Sequence, residues 1–448
     1  MVRLDKGELN SDIARFRRDL PAIFRAALGR SSAAALLESA LRRPDVRGFL
    51  HRPLRLLSIG KAAAHLAAAF DRQSAGIMAD GLAIGTHRTG RVPASVNWIE
   101  ASHPVPDARS VEAARCALAS ARAVPPGHGL LVLLSGGASS LMALPAPGIT
   151  LEDKQAATRQ LLRAGADIHQ LNAVRKHLSA VKGGQLAAAA SAPVLALVIS
   201  DVVGDDLSVI GSGPTFPDPT TFADALDVVG RHGGEGEFPP AVVGRLRAGA
   251  RGELPETPKP GDPRLAHAAT RTIGSRASAA AGAASAAESL GYRTIVIDEP
   301  VVGLARDAGP RFIDEAVRLS GNRREPTCVI ATGETTVRVT GRGRGGRNQE
   351  LALSAARTLA ALPVPAALLS GGTDGVDGPT DAAGAISDGT TLARAAQAGL
   401  EAPEAYLEDN DTYRFFRTLG DLVITGPSDT NVGDIQILLF APGACVAD

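Results

Sequence analysis

The sequence is poor in residues that several functional classes require. Aromatic residues make up 3% of the 448-residue chain and Trp98 is its one tryptophan, so the stacking platforms used by single-stranded nucleic acid are not evident. Lysine plus arginine equals aspartate plus glutamate at 47 each. A neutral chain offers no global attraction for nucleic acid or an anionic membrane, so any anion site must be local. Cysteine is limited to Cys116, Cys328 and Cys445. The odd count and the lack of CxxC spacing argue against a disulfide framework and fit a reducing compartment. No apolar run reaches the roughly 18 residues of a membrane span, and the opening MVRLDKGELNSDIARFRRDL is too charged for a signal peptide. HExxH and GxSxG are missing as well, which removes most support for zinc or serine hydrolysis. These absences predict a soluble, cytoplasmic protein that binds neither nucleic acid nor membrane.

What is present is one theme repeated. A short apolar run ends in a glycine-rich or acidic loop, and an alanine-rich helical segment follows. The runs are at 54–59, 130–134, 193–199, 292–297, 328–331, 366–369 and 422–424. Strands alternating with helices imply βαβ units, an α/β fold and mainly parallel sheets, and runs without polar alternation fit strands covered on both faces. The stretch 231–263 is dense in glycine, proline and charge and reads as a linker, with a domain boundary near 240. The segment 279–287, AAAGAASAA, reads as a helix packed on a sheet.

Parallel sheets bind ligands beyond the carboxyl ends of their strands, so the loops there carry the chemistry. Residues 135–140 read SGGASS. Gly136 and Gly137 lack the Cβ atoms that would hold an oxyanion off the backbone, a helix start supplies free N–H groups, and Ser135, Ser139 and Ser140 bring hydroxyls. This is a phosphate or carboxylate cradle, with a plain capped turn as the alternative. Gly60-Lys61 also follows a strand. A lysine at a helix start opposes the dipole, which a bound anion would offset; a surface lysine is the competing reading. It is not a P-loop, because Arg55 stands where that motif needs glycine.

Residues 172–187, NAVRKHLSAVKGGQLA, are predicted as one helix ending at Gly183-Gly184, with Arg175, Ser179 and Lys182 on one face that could meet phosphate. Residues 200–215, SDVVGDDLSVIGSGPT, put Asp201, Asp205 and Asp206 after a strand as hard oxygen ligands suited to Mg²⁺, with Gly213 among small residues. Residues 341–350, GRGRGGRNQE, interleave Arg342, Arg344 and Arg347 with glycine. Arginine binds carboxylate and phosphate bidentately, so we read an anion clamp rather than a dinucleotide loop, which should open a helix straight after a strand. Residues 370–385 add Asp374, Asp377 and Asp381 as an acidic loop for Mg²⁺ or hydroxyls; the EF-hand spacing and its bidentate glutamate are missing.

Taken together, Gly60-Lys61, HPVPD at 103–107, SGGASSL, NAVRKHLSAVKGG, SDVVGDD with GSGPTFPDP, GGRNQE and GTDGVDGPTDAAGA resemble the class II glycerate 2-kinases. That family is also named for its C-terminal MOFRL domain and is at times labelled hydroxypyruvate reductase. The resemblance implies a larger Rossmann-like αβα domain, here 1–240, a smaller MOFRL-type α/β domain, 241–448, and an active-site cleft between them. Whether the strand 422–424 returns to the first domain stays open. It implies transfer of the ATP γ-phosphoryl to the 2-hydroxyl of D-glycerate, giving 2-phosphoglycerate and ADP with Mg²⁺. Lys61 and Arg347 are the implied catalytic pair. Lys61 would stabilise the transferring phosphoryl, Arg347 would orient glycerate, and Asp201 with Asp205 would hold the metal. The ATP phosphates would lie along 135–140 near Lys182, Gly183 and Gly184, with Gly60, Gly213 and Asp374 completing the binding set. No general base is identified. The chain departs from the family in SIGK, in Ser102 before HPVPD, and in GPSDTN, where Asp429 adds a negative charge. The rival readings are an NAD(P)H-dependent hydroxypyruvate reductase and a non-catalytic ligand-binding regulator. The residues leave open whether the chain forms a homo-oligomer.

Overall fold

A computed structural model describes residues 6–74, 76–86, 90–321, 325–428 and 430–442, with side chains from residue 11. Asp429 and Cys445 lie outside the described residues. The chain forms two compact units, residues 33–273 and residues 1–32 with 274–448.

The 33–273 unit is built on six strands: β1 (Leu54–Ile59), β2 (Met78–Gly85), β3 (Val96–Glu100), β4 (Gly129–Leu134), β5 (Val194–Ile199) and β6 (Ala268–Gly274). Their order is β3-β2-β1-β4-β5-β6, and β1 pairs in parallel with β2 and β4, as β4 does with β5. Strands β4 and β5 are buried along their whole length, which explains their unbroken apolar sequence. The registers align Ile59 with Leu134 and Leu134 with Val198. Three neighbouring strands therefore end almost level, and the loops after them sit side by side.

The stretch expected as a linker is not one. It contains the helix Pro240–Ala250, started by proline at its first position. Val242, Val243 and Leu246 pack there in a core with Phe222, Val228 and Leu161. The break between units consequently falls at 273, where β6 has completed the sheet.

The other unit carries β7 (Arg293–Val296), β8 (Val301–Leu304), β9 (Thr327–Thr336), β10 (Ala366–Gly372), β11 (Gly384–Asp388), β12 (Leu422–Val423) and β13 (Asp434–Phe440). The order is β12-β11-β10-β13-β9-β7, with β8 on β9. Only β7 and β8 run parallel to β9, while the β9–β13, β13–β10, β10–β11 and β11–β12 pairs are antiparallel. The fold is α/β as expected, but this sheet is mixed rather than mainly parallel. A loop, not a crossover helix, joins β10 to β11, and such a connection returns the chain antiparallel. The strand at 422–423 stays in this unit. The N-terminal helix Lys6–Arg30 also belongs here. Arg17 binds Asp388 at 2.6 Å and Asp421 at 2.7 Å, and the Phe24 ring fills the space beside Gly371.

Candidate active site

In the 33–273 unit, the loops after β1, β4 and β5 interlock. Lys61 N–H donates to the Gly136 carbonyl at 2.9 Å, and Ala62 N–H donates to Ser135 Oγ at 3.1 Å. Gly60 has φ +132°, and a Cβ there would lie 2.1 Å from Ser135 Oγ. A Cβ on Gly136 would lie 2.3 Å from Asp201 Oδ2. Both glycines are needed because three loops meet without room for another carbon.

Lys61 is exposed, and its ammonium has no hydrogen bond or ion pair among the described residues. It still acts electrostatically on its surroundings. Burial raises the Asp201 carboxyl, with its own backbone N–H and Lys61 pulling the other way. Burial and then Lys61 push the His103 imidazole down, which favours its neutral form. His103 and Lys61 both flank Gly137, at 3.1 and 3.4 Å from the position of an added Cβ. The motif HPVPD does not by itself mark His103, because a lone histidine in a loop carries no spacing signal.

The helix after SGG is a single turn, Ala138–Leu141, so the expected helix-dipole contribution is small. The hydroxyls are partly engaged as well. Ser140 Oγ donates to the Pro104 carbonyl at 2.7 Å, and Ser139 Oγ lies 2.9 Å from Ser212 Oγ. The segment 172–187 is not one helix either. The helix ends at His177, and Ser179 pairs with Pro145 in a bridge. Lys176 and His177 turn away to Asp218, at 3.1 and 3.9 Å. Lys182 Nζ donates to Ser139 O at 2.7 Å and Ser139 Oγ at 2.9 Å. The Gly183 and Gly184 amides are taken by the carbonyls of Ser212 and Gly213, at 3.0 and 2.7 Å, so these glycines support the loop instead of offering N–H groups. Gly213 packs against the Ser208 carbonyl. Asp205 sits in a tight turn with φ 52°, its N–H bonded to Val202 O at 3.2 Å.

In the other unit, Arg347 opens the helix Arg347–Ala361 and lines a cavity of about 530 Å³ with Asp374. Its guanidinium is bidentate on Asp434, at 2.6 and 3.0 Å, and 3.1 Å from Glu334. Burial opposes the charge, but Asp434 and Glu334 outweigh it and hold the guanidinium firmly protonated. Asp434 is 1% exposed, and burial lifts its carboxyl in spite of Arg347. The other charged residues of the lining are acidic: Glu334, Glu350, Asp374 and Asp377.

The expected three-arginine clamp is absent. Gly341 and Gly343 run against the backbone at Asp409 and Asp411, and the exposed Arg344 stacks on Tyr413 at 5.1 Å. Arg342 is exposed and does not line the cavity. The glycines serve close backbone approach, a role that spacing alone does not separate from ligand binding. Nor is this a dinucleotide loop. The Asn348 and Gln349 amides at the helix start are taken by the Asp377 carboxylate at 3.0 and 2.9 Å, where a pyrophosphate would have to sit. Burial raises that carboxyl to about 6 against these bonds.

Fold and loops define an α/β protein with glycine-rich and acidic loops at its strand ends and no Walker loop. Two family descriptions match the sequence, Domain of unknown function (DUF4147) over residues 19–247 and the MOFRL family over residues 327–434. The chain is 38% identical to glycerate 2-kinase of Pyrococcus horikoshii over 389 residues, covering 86% of each chain. It is 43% identical to D-glycerate 2-kinase of Thermotoga maritima over 346 residues, 76% of this chain and 79% of that one. A putative hydroxypyruvate reductase of Agrobacterium vitis is 39% identical over 394 residues, 86% of each chain. The crystal structure of Thermotoga maritima glycerate kinase matches with a TM-score of 0.85 at 36% identity, covering 96% of this chain and 100% of that one. The chain belongs to the glycerate 2-kinase family. No helix among the described residues is long and apolar enough to cross a membrane.

Proposed function

We propose that the chain transfers the γ-phosphoryl group of ATP to the 2-hydroxyl of D-glycerate. The bond from Pγ to the bridging oxygen breaks with its electron pair going to ADP, a bond from glycerate O2 to Pγ forms, and the hydroxyl proton is released. The observation that carries this reading is the meeting of three level strand ends around Lys61, a cation with no hydrogen-bonded or ion-paired partner among the described residues. Phosphoryl transfer is mainly positioning and charge neutralisation, and a cation whose ammonium is not tied up in a hydrogen bond or ion pair is suited to charge that develops in the transition state.

In this reading Lys61 neutralises the transferring phosphoryl and Arg347 orients glycerate. Arg347 is already paired, so it serves as a fixed directional donor whose geometry Asp434 sets. The segment 135–140, with Gly60 and Lys182, lies along the ATP phosphates. Gly183, Gly184 and Gly213 shape the loop, and Asp374 faces glycerate hydroxyls.

Mg²⁺ is part of the proposal. Asp201 is a partly buried carboxylate whose side chain bonds no cation, which suits a hard metal, and Asp205 follows in the same loop. Among the described residues no group of three or more His, Cys, Asp or Glu is placed to hold a metal ion. The remaining ligands would be phosphate oxygens and waters, as Mg²⁺ prefers. When bound, the ion supplies neutralisation of phosphate oxygen charge.

The test is D-glycerate-dependent ADP release in a coupled assay, which this reading expects. Nicotinamide oxidation with hydroxypyruvate and no ADP release would move the reading to the reductase. ATP binding without turnover would leave a regulator.

A further inference from the structure

Forming the bond from glycerate O2 to Pγ releases the hydroxyl proton. Lys61 and Arg347 are cations with no lone pair to accept it. Most other polar groups around Lys61 are engaged. Ser135 Oγ accepts from Ala62 N–H at 3.1 Å, and Ser139 Oγ accepts from Lys182 at 2.9 Å. Ser140 Oγ donates to the Pro104 carbonyl at 2.7 Å. Asp201 lies against Gly136 and is taken by the metal in the kinase reading. His65, on the helix Ala63–Gln73, faces Gly90, its Nε2 3.5 Å from the position of a Cβ there. His103 differs from all of these. Its imidazole is half-buried and forms no hydrogen bond or ion pair with a described residue.

His103 reaches this place from a distant strand. β3 is separated from β4 by β2 and β1, a span of about 14 Å at the usual strand spacing. The loop after β3 is pinned on the far side through its backbone. The Pro104 carbonyl accepts from Ser140, and the Pro106 carbonyl accepts from Gln155 Nε2 at 2.8 Å. These bonds fix the loop and leave the imidazole unused. Gly137 then separates His103 from Lys61. An added Cβ there would lie 3.1 Å from His103 Cδ2, 3.5 Å from His103 Nε2 and 3.4 Å from Lys61 Cγ. The missing side chain leaves a gap with an imidazole nitrogen on one side and the lysine stem on the other.

The surrounding charges keep that nitrogen an acceptor. Burial and then Lys61 push the imidazole down, toward its neutral form. The carboxylates that flank the loop, Glu100 and Asp107, are both paired with Arg109, at 3.2 and 2.9 Å. A neutral imidazole carries one nitrogen with a free lone pair.

We propose that His103 is the general base of the transfer, receiving the proton of the glycerate 2-hydroxyl at Nε2. As O2 bonds to Pγ, the O2–H bond breaks, its electron pair stays on O2, and the proton moves to the imidazole, which later returns it to solvent. The proposal rests on the kinase reading and adds the proton acceptor. A loose transition state makes proton transfer late, so the base is worth the low end of the usual range, about 10²-fold.

The experiment is kcat against pH, at saturating Mg-ATP and D-glycerate, for the full-length wild type, His103→Gln and His103→Ala, with thermal midpoints. Wild-type kcat should fall as pH drops, because protonation fills the acceptor. His103→Gln keeps a polar side chain but cannot take a proton. At pH 8 its kcat should be about 10²-fold lower, its acid limb should vanish, and both KM values should change less than about threefold. Imidazole added to His103→Ala should restore turnover in proportion to its neutral form. Wild-type kcat in His103→Gln, or an acid limb that survives there, would overturn the proposal alone, since product formation by the wild type would uphold the kinase reading. A loss confined to KM would make His103 a binding residue. A wild-type rate that rises as pH falls would make it an imidazolium on phosphate, and lowered midpoints without rescue would make it structural. Each of these overturns the base. If the wild type releases no ADP with D-glycerate, the kinase reading fails and the base falls with it.

Discussion

Replacing Arg347 by alanine should damage the protein in two separable ways. Asp434 is 1% exposed and relies on Arg347 for two hydrogen bonds, at 2.6 and 3.0 Å. Breaking a buried pair by removing one partner costs about 3–5 kcal/mol. The Arg347 side chain is itself 30% exposed, which places the loss at the lower end. For a unit of this size, about 3 kcal/mol corresponds to a fall of about 6–12 °C in its midpoint. The loss should depend on pH. Burial already raises the Asp434 carboxyl in the folded protein, and without Arg347 it rises further. A group whose folded pKa exceeds its unfolded value binds its proton more tightly when folded. Folding is therefore favoured at acid pH, and that stability is lost as pH rises from about 4 through the folded value. Scanning calorimetry should find Arg347→Ala closer to wild type at pH 5 than at pH 8. The double variant Arg347→Met with Asp434→Asn removes both charges and should recover most of the midpoint but none of the activity. A wild-type midpoint for Arg347→Ala at pH 8 would refute the buried pair, and full activity in the double variant would refute a catalytic role for Arg347.

Other expectations follow from the same geometry. Lys61→Met should lower kcat/KM by roughly 10²–10³, the cost of losing one preorganised charge, with an unchanged midpoint because the side chain is exposed; an activity loss under tenfold would contradict its role. Gly136→Ala places a Cβ 2.3 Å from Asp201 Oδ2, so the loop must shift, at a stability cost of about 1–3 kcal/mol and with loss of turnover; wild-type kinetics would show that the loops do not meet as described. Asp218 is fully buried on Lys176, Thr220 and Thr257; burial raises its carboxyl, but Lys176, His177 and the Thr220 hydrogen bonds together outweigh that and hold it below the usual carboxylate range. The stability it supplies is present above its unfolded value and lost as pH falls below about 4. Asp218→Asn should accordingly flatten the acid limb of the stability curve, and an unaltered limb would count against this assignment.

Much of the site in the 33–273 unit was legible because each loop follows its own apolar run. Gly60-Lys61, SGGASS and SDVVGDD sit at the ends of β1, β4 and β5, and parallel pairing alone brings such ends to one edge. What periodicity could not show was the partner of each charge. Arg342, Arg344 and Arg347 are alike in sequence, yet one is paired with Asp434 in a cavity and another stacks on Tyr413, a difference made by residues more than sixty positions away. The segment 172–187 read as one helix because its basic residues recur at helical spacing. Ser179 instead bridges to Pro145, and Lys182 reaches Ser139 from a loop. The burial of Lys154 was invisible for the opposite reason: on an amphipathic helix it looks like a solvent lysine, and only tertiary packing buries it. The N-terminal helix joined the later unit through Arg17 with Asp388 and Asp421, a long-range choice that no local pattern encodes.

The most direct test of the central claim is a phosphorus NMR spectrum of the products from ATP, Mg²⁺ and D-glycerate. The account predicts ADP together with a single phosphomonoester, split by the one proton on C2 and identical to authentic 2-phosphoglycerate. A signal coupled to the two protons of C3, or ATP left intact, would contradict it.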